Sequence, residues 1–311
     1  MTRALALAFL FALICACSEP ARESPGGEYQ RIVTLAPNLT ELVFAIGAGE
    51  RLVGVSAWSD YPPEALDLPV IGDAFSIDQE KLALLEPDLL LVWESGTPAH
   101  TIDNLERMGY IVAVIRTRGL ADVSAAMLRL GELTGQRTTA GTAAGEFRER
   151  LAALRDTHRN AAPIDVFYQV AARPLYTVNR EHYVSELIGI CGGRNVFDDL
   201  NELAPAVTVE AVVERNPEVM LASTDGGDSA FDEWRRWPAI AANRYGNQFL
   251  LPADELARAT PRLTVAGGAM CLALQRARDN RSRTESGSPA RTDPDPKAPP
   301  GRHRDAPEPG Q

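Results

Sequence analysis

From Arg31 to Pro252 short apolar runs alternate with helical patterns, and near the middle one helical stretch runs far longer than the others. Such alternation commits a chain to α/β layering, because a strand set between helices is buried on both faces and reads as a continuous apolar run. Arg31–Leu35, Leu52–Ser56, Leu89–Trp93 and Ile111–Ile115 predict strands, and Asn38–Ile46, Asp78–Leu85, Thr101–Met108 and Ala121–Leu133 predict the helices among them. Past Gly135, the stretch Thr138–Arg159 sets Ala140, Ala143, Ala144, Phe147, Leu151 and Leu154 on one face and charge on the other. It predicts a single long amphipathic helix. The alternation then resumes, with strands at Ile164–Val170, Glu218–Ala222 and Gln248–Pro252 and helices at Tyr183–Ile190, Val209–Glu214 and Pro261–Arg278.

The halves on either side of the long helix echo each other. Thr40–Gly47 reads T-E-L-V-F-A-I-G and Ser185–Gly192 reads S-E-L-I-G-I-C-G. Each pattern predicts a hydroxyl N-cap, an acid in the first turn and a glycine stop. Glu80 is followed by Pro87, Asp88 and L-L-L, and Glu210 by Pro217, Glu218 and V-M-L, each a short helix that stops before proline and feeds a buried strand. The expected architecture is α/β, with two Rossmann-like lobes over residues 29–136 and 161–278 joined by a backbone helix over 137–160. The ligand cleft is expected between the lobes, lined by loops at strand ends. A helical linker absorbs little φ/ψ change, so hinge motion should be small.

Arg3 and the apolar run Ala4–Ala16 have the form of a signal peptide, too short to span a bilayer. The run ends at I-C-A-C, which resembles a bacterial lipobox. Residues 1–16 are expected to be removed, Cys17 lipidated, and 17–28 left as a tether; an ordinary cleaved signal is the alternative. Residues 279–311 hold seven prolines and only three residues from the apolar set, all alanine, so they are expected to form a disordered Pro-rich tail. Outside the cytoplasm disulfides persist. With Cys15 and Cys17 assigned to the signal and the lipid, Cys191 and Cys271 remain as a bridged pair or as two buried free thiols. The net charge of −11 speaks against a nucleic-acid partner.

The chain contains no G-x-S-x-G, G-x-x-x-x-G-K, G-x-G-x-x-G or H-E-x-x-H motif. None of His100, His158, His182 and His303 pairs at metal-ligand spacing. Binding without catalysis, metal or cofactor is therefore expected. The aromatics are more informative. Trp58 and Tyr61 lie in S-A-W-S-D-Y-P-P after a strand, Phe75 in the loop G-D-A-F-S, Trp93 at a strand end, and Tyr168 and Tyr176 beside a strand–turn segment. Aromatics at strand ends suit a large, flat, partly apolar ligand. Trp234 and Trp237, at i,i+3, predict packing instead. Asp254 and Arg258 follow the last strand as polar candidates for the crevice. Glu80 and Glu210 suit the helix macrodipole, and their equivalent places also suit docking onto a two-fold symmetric partner bearing arginines.

Taken together, R-I-V-T-L-A-P-N-L-T-E-L, V-G-V-S-x-W-S-D-Y-P-P, E-K-L-A-L-L-E-P-D-L-L-L-V-W and C-G-G-R-N-V-F resemble the periplasmic vitamin B12-binding proteins. These are helical-backbone receptors of ABC importers, a superfamily that also includes siderophore and haem binders. The resemblance runs from Arg31 to Arg278. It implies a periplasmic, monomeric carrier of cobalamin or another corrinoid that serves an ABC permease dimer and touches the membrane only through its lipid anchor. It also implies that Trp58, Phe75 and Trp93, with Asp254 and Arg258, contact the ligand, and the placement of the aromatics adds Tyr61 and Tyr168 as ligand candidates. By the same resemblance Cys191 and Cys271 match the family's disulfide, and Glu80 and Glu210 match the carboxylates that seat the lobes on permease arginines. Two departures weaken the C-terminal side of the cleft: Ala204 or Pro205, and Glu255, stand where a member of the family has tryptophan. A siderophore or haem receptor is the alternative on this scaffold, and an extracytoplasmic enzyme the remote one.

Overall fold

The computed structural model describes residues 28–73 and 75–287. The expected signal segment, Cys17, the tether up to Gly27 and the tail beyond Gly287 lie outside the described residues. The first lobe runs β1 (Ile32–Thr34), α1 (Pro37–Ala45), β2 (Leu52–Gly54), α2 (Gln79–Leu84), β3 (Leu89–Trp93), α3 (Ala99–Arg107), β4 (Val112–Ile115) and α4 (Leu120–Leu133). Its strands form one parallel sheet in the order β2-β1-β3-β4. Helix α5 (Arg137–His158) leads to β5 (Ile164–Gln169), a hairpin of β6 (Ala171–Ala172) and β7 (Leu175–Tyr176), α6 (Tyr183–Ile190) and β8 (Gly193–Asn195). Then come α7 (Val209–Arg215), β9 (Val219–Ser223), α8 (Ala241–Tyr245), β10 (Gln248–Leu251), α9 (Ala253–Ala257) and α10 (Leu263–Glu285). The second main sheet is also parallel, in the order β10-β9-β5-β8. Setting aside the β6–β7 hairpin, strands taken in chain order occupy the same places in both lobes, so the sequence echo is a repeat of topology.

Strands β3 and β9 occupy inner positions of their sheets, and their L-L-L-V and V-M-L-A runs are buried throughout. A continuous buried cluster passes from Ile32, Leu42 and Leu89 through Phe147 and Leu151 of α5 to Leu187 and Met270. The backbone helix is thus part of the core of both lobes. A Cys191–Cys271 disulfide ties the end of α6 to α10 across a separation of 80 residues. Loop-closure entropy for that span is worth about 4 kcal/mol. No helix among the described residues is long and apolar enough to cross a membrane.

Several expectations need correction. Helices α1 and α6 begin at Pro37 and Tyr183, so Thr40 and Ser185 lie inside them and cap neither. Proline at the first position loses no bond there, and His182 Nδ1 caps α6 by accepting the Val184 N–H at 3.2 Å. Strand β8 carries no apolar run; Arg194 holds this edge by a two-pronged bond to Asp165 at 2.8 and 2.7 Å. The last helix passes the expected boundary at Arg278 and ends at Glu285. Polar tethers hold the extension in place of apolar burial: Asn280 Nδ2 donates to Asn247 Oδ1 at 2.9 Å, and Arg281 Nη1 to Glu218 Oε1 at 2.8 Å.

Candidate ligand cleft

Beyond the C-terminal end of β2 the chain turns through Ser56–Tyr61. Trp58 sits there at φ +67° with its side chain 79% exposed. A residue with a Cβ pays about 1–2 kcal/mol for left-handed backbone, so the loop must be fixed by its surroundings. On its own lobe a buried chain of hydroxyls does so: Thr34 Oγ1 lies 2.7 Å from Thr40 Oγ1, which lies 3.0 Å from Ser59 Oγ, itself 3.2 Å from Ser56 Oγ. From the other lobe Arg258 Nη2 donates to the Trp58 carbonyl at 3.0 Å.

Asp73 builds the next loop, its Oδ1 accepting the N–H groups of Phe75 at 2.8 Å and Ser76 at 2.7 Å. A Cβ on Gly72, at φ +106°, would stand 2.0 Å from the Ser76 carbonyl oxygen, so the turn requires glycine. Phe75 projects from it 80% exposed and, with His100, Asn104 and Arg107, lines a pocket of about 440 Å³ against α3. Trp93 is half-buried at the end of β3, with Gly96 packed against its ring and its Nε1 buried without a partner among the described residues. Tyr61 is exposed and its ring lies 4.1 Å beneath the Arg262 guanidinium.

The second lobe contributes α9 and the start of α10. Asp254 is exposed in the first turn of α9. Arg258, at the C-cap of α9, is committed to the other lobe, because Nη1 donates to Glu41 Oε1 at 2.8 Å and to Asp60 Oδ1 at 2.6 Å. Arg262 donates to the same carboxylate, Nε to Oε2 at 3.1 Å and Nη2 to Oε1 at 2.8 Å, and Nη1 reaches Glu255 at 3.4 Å. The Glu41 side chain is only 3% exposed, so this charge is desolvated and doubly paired. The Arg258 guanidinium beside Asp60 holds that carboxyl below the usual carboxylate range.

A second crossing mirrors the first. Glu186, the echo of Glu41, accepts the Leu120 N–H at the start of α4 at 3.2 Å, and Tyr183 N donates to the Arg118 carbonyl at 2.8 Å. Burial pushes the Glu186 carboxyl up, opposed by that N–H. Arg118 forks onto Glu94 at 2.9 and 2.7 Å.

The structure therefore places Trp58, Tyr61 and Phe75 on exposed loops of the first lobe and Trp93 half-buried at the end of β3. It moves two expected contacts elsewhere. Tyr168 is 6% exposed within the core, where burial pushes its phenol pKa up, so it offers no open surface to a ligand. Both terminal nitrogens of Arg258 are engaged by the first lobe. Glu80 and Glu210 are exposed at the second positions of α2 and α7, behind the side-chain caps Asp78 and Thr208. Sequence reasoning missed Glu41, Asp60 and Arg262. The T-E-L/S-E-L echo was the signal for Glu41, since both echoed acids cross to the opposite lobe.

The chain matches the family described as periplasmic binding protein over residues 32–259. A vitamin B12-binding protein of Vibrio cholerae is 34% identical over 247 residues, covering 79% of this chain and 89% of that one. The crystal structure of the periplasmic vitamin B12-binding protein of Vibrio cholerae matches with a TM-score of 0.72 at 34% identity, over 80% of this chain and 98% of that chain. A periplasmic haem-binding protein from Roseiflexus sp. RS-1 matches with a TM-score of 0.70 at 25% identity, over 81% and 99%.

Proposed function

The chain belongs to the periplasmic binding protein family, and from that premise we propose that it captures cobalamin or a closely related corrinoid and hands it to an ABC importer. The observation that carries this reading is the 34% identity to the Vibrio cholerae vitamin B12-binding protein across 89% of its length. The haem binder, at 25%, stands further off. The charges at the lobe junction agree with it. Arg118, Arg258 and Arg262 are each paired with carboxylates, so these groups offer no cationic cluster to an anionic siderophore. A near-neutral corrinoid suits a cleft of aromatic surface with few free charges.

In this reading Trp58, Tyr61, Phe75 and Trp93 supply apolar contact and Asp254 a polar one, with no catalytic step. Cys17 carries the lipid anchor, the protein acts as a monomer in the periplasm, and Glu80 and Glu210 meet arginines of a permease dimer. Calorimetric titration of the purified protein with cyanocobalamin should give saturable one-to-one binding with quenching of tryptophan fluorescence. Trp58→Ala should weaken that binding about tenfold or more, as loss of an exposed aromatic contact does. Heat from haem and none from cyanocobalamin would move the reading to the haem branch. For docking, Glu80→Arg combined with Glu210→Arg should abolish uptake in whole cells and leave cyanocobalamin affinity unchanged; sustained uptake would remove the docking role.

A further inference from the structure

We propose that Arg258 is a positioning residue of the cleft: with Glu41 and Arg262 it clamps the Trp58–Tyr61 loop of the first lobe onto the second, and it acts on the ligand through Trp58. The binding side of this inference rests on the cobalamin reading; the clamp itself does not.

Trp58 is held in left-handed backbone although its indole is exposed, so little packing on the side chain explains the conformation. Its carbonyl is fixed from across the cleft by Arg258 Nη2. The other terminal nitrogen of that guanidinium binds Asp60, two residues on, and Glu41 of α1. A planar fork with fixed angles sets the relative places of the groups it joins, whereas a lysine ammonium would not. Glu41 completes the device. Buried and shared by Arg258 and Arg262, it fixes both guanidiniums against α1, and Arg262 then covers the Tyr61 ring at 4.1 Å. Two arginines of the second lobe thus hold Trp58, Asp60 and Tyr61 of the first. Without Arg258, Trp58 loses the restraint that the second lobe adds to the hydroxyl chain, its φ is freer to relax, and the indole leaves the place where it can stack on a ligand.

A double-mutant cycle separates this role from direct ligand contact. Cyanocobalamin affinity is measured by calorimetry for the wild type, Arg258→Ala, Trp58→Ala and the double variant. Each single change should weaken binding about tenfold, and the double variant should lie within about twofold of Trp58→Ala. Losses that multiply in the double variant would overturn the proposal. A ligand-free readout stands beside it. In protein labelled with 5-fluorotryptophan the chain gives four ¹⁹F resonances, one for each tryptophan, with that of Trp58 assigned by Trp58→Phe. Arg258→Ala should shift or broaden the Trp58 resonance and leave the other three in place. Asp60→Ala, which removes one arm and keeps the buried Glu41 pair, should do the same more weakly and serves if Arg258→Ala fails to fold. A Trp58 resonance unmoved in both variants would sink the clamp. If the wild type does not bind cyanocobalamin, the ligand reading fails and the ¹⁹F result still decides the clamp.

Discussion

His182 caps α6 through Nδ1, and its ring lies 4.2 Å from that of Tyr183. Burial pulls its pKa from 6.5 down to about 4, so the folded protein keeps the imidazole neutral and able to accept the Val184 N–H. The unfolded chain has the higher pKa and takes up the proton first. Stability from the neutral ring is therefore complete above pH 6.5 and is lost as the pH falls toward about 4, with a ceiling of about 3 kcal/mol. His182→Asn keeps a capping acceptor and removes the titration. Between pH 6.5 and 4 the urea midpoint of the wild type should fall further than that of His182→Asn; parallel curves would refute the assignment. This residue shows what the sequence hides at this scale. Spacing gave His182 no partner at metal-ligand distance in the sequence, but burial decides its chemistry, and burial comes from contacts remote in the chain. Arg258 is the same case: its place after the last strand was legible, whereas its partner Glu41 lies 217 positions away.

Asp88 and Glu218, which follow the echoed prolines, have the same task in the two lobes. Asp88 accepts the N–H groups of Gln30 and Arg31 at 2.8 and 2.9 Å, and its own N–H donates to the Arg31 carbonyl at 2.9 Å. Glu218 Oε2 accepts the Asp165 N–H at 3.0 Å, and its N–H donates to the Asp165 carbonyl at 2.9 Å. Each acid thus ties the start of the central strand, β1 or β5, to the strand it leads into. Glu218 also receives Arg281 of α10 and is half-buried, so Glu218→Ala should cost about 2 kcal/mol. Asp88→Ala, which removes bonds to two backbone N–H groups and no bond to Arg281, should cost about 1 kcal/mol. Urea midpoints at unchanged m-value measure both, and Glu218→Gln, which keeps an acceptor, should recover most of the loss. Equal midpoints for all three would show that the ladder closes without these acids. The elements were well read where burial is two-sided: Leu89–Trp93 and Tyr183–Ile190 are the observed spans. They were misread where polar contacts do the holding. Strand β8 and the end of α10 carry no apolar signature, and Thr40 and Ser185 look like caps while serving tertiary bonds, Ser185 Oγ donating to the Asn179 carbonyl at 2.6 Å.

At the scale of the molecule, three connections govern how far the lobes can separate. Helix α5 runs for 22 residues, about 33 Å, and its buried face belongs to the core of both lobes. The Glu41–Arg258–Arg262 cluster makes one crossing, and the Glu186–Leu120 and Tyr183–Arg118 bonds make a second. Opening the cleft by a hinge would require φ/ψ changes inside a helix and rupture of a desolvated ion pair, both costly beside the loop rotations on which large closures depend. The echo in the sequence made the two lobes and the stiff link legible. The clasps were not, because a pseudo-symmetric pair of acids in helices looks the same whether it faces solvent or the other lobe. The molecule should therefore admit its ligand with the lobes already near their final separation, and the loops bearing Trp58 and Phe75 should take up the remaining fit. Spin labels at Leu84 and Glu214, exposed positions on α2 and α7, report the separation by pulsed electron resonance, and the bridged Cys191 and Cys271 do not compete for label. The mean distance should change by less than about 3 Å on saturation with cyanocobalamin. In Glu41→Gln the ligand-free distribution should broaden while the saturated one narrows again, since the ligand then supplies the contacts that the clasp has lost. A shift above about 6 Å in the wild type would show that the helix bends as a hinge and that the clasps open with it.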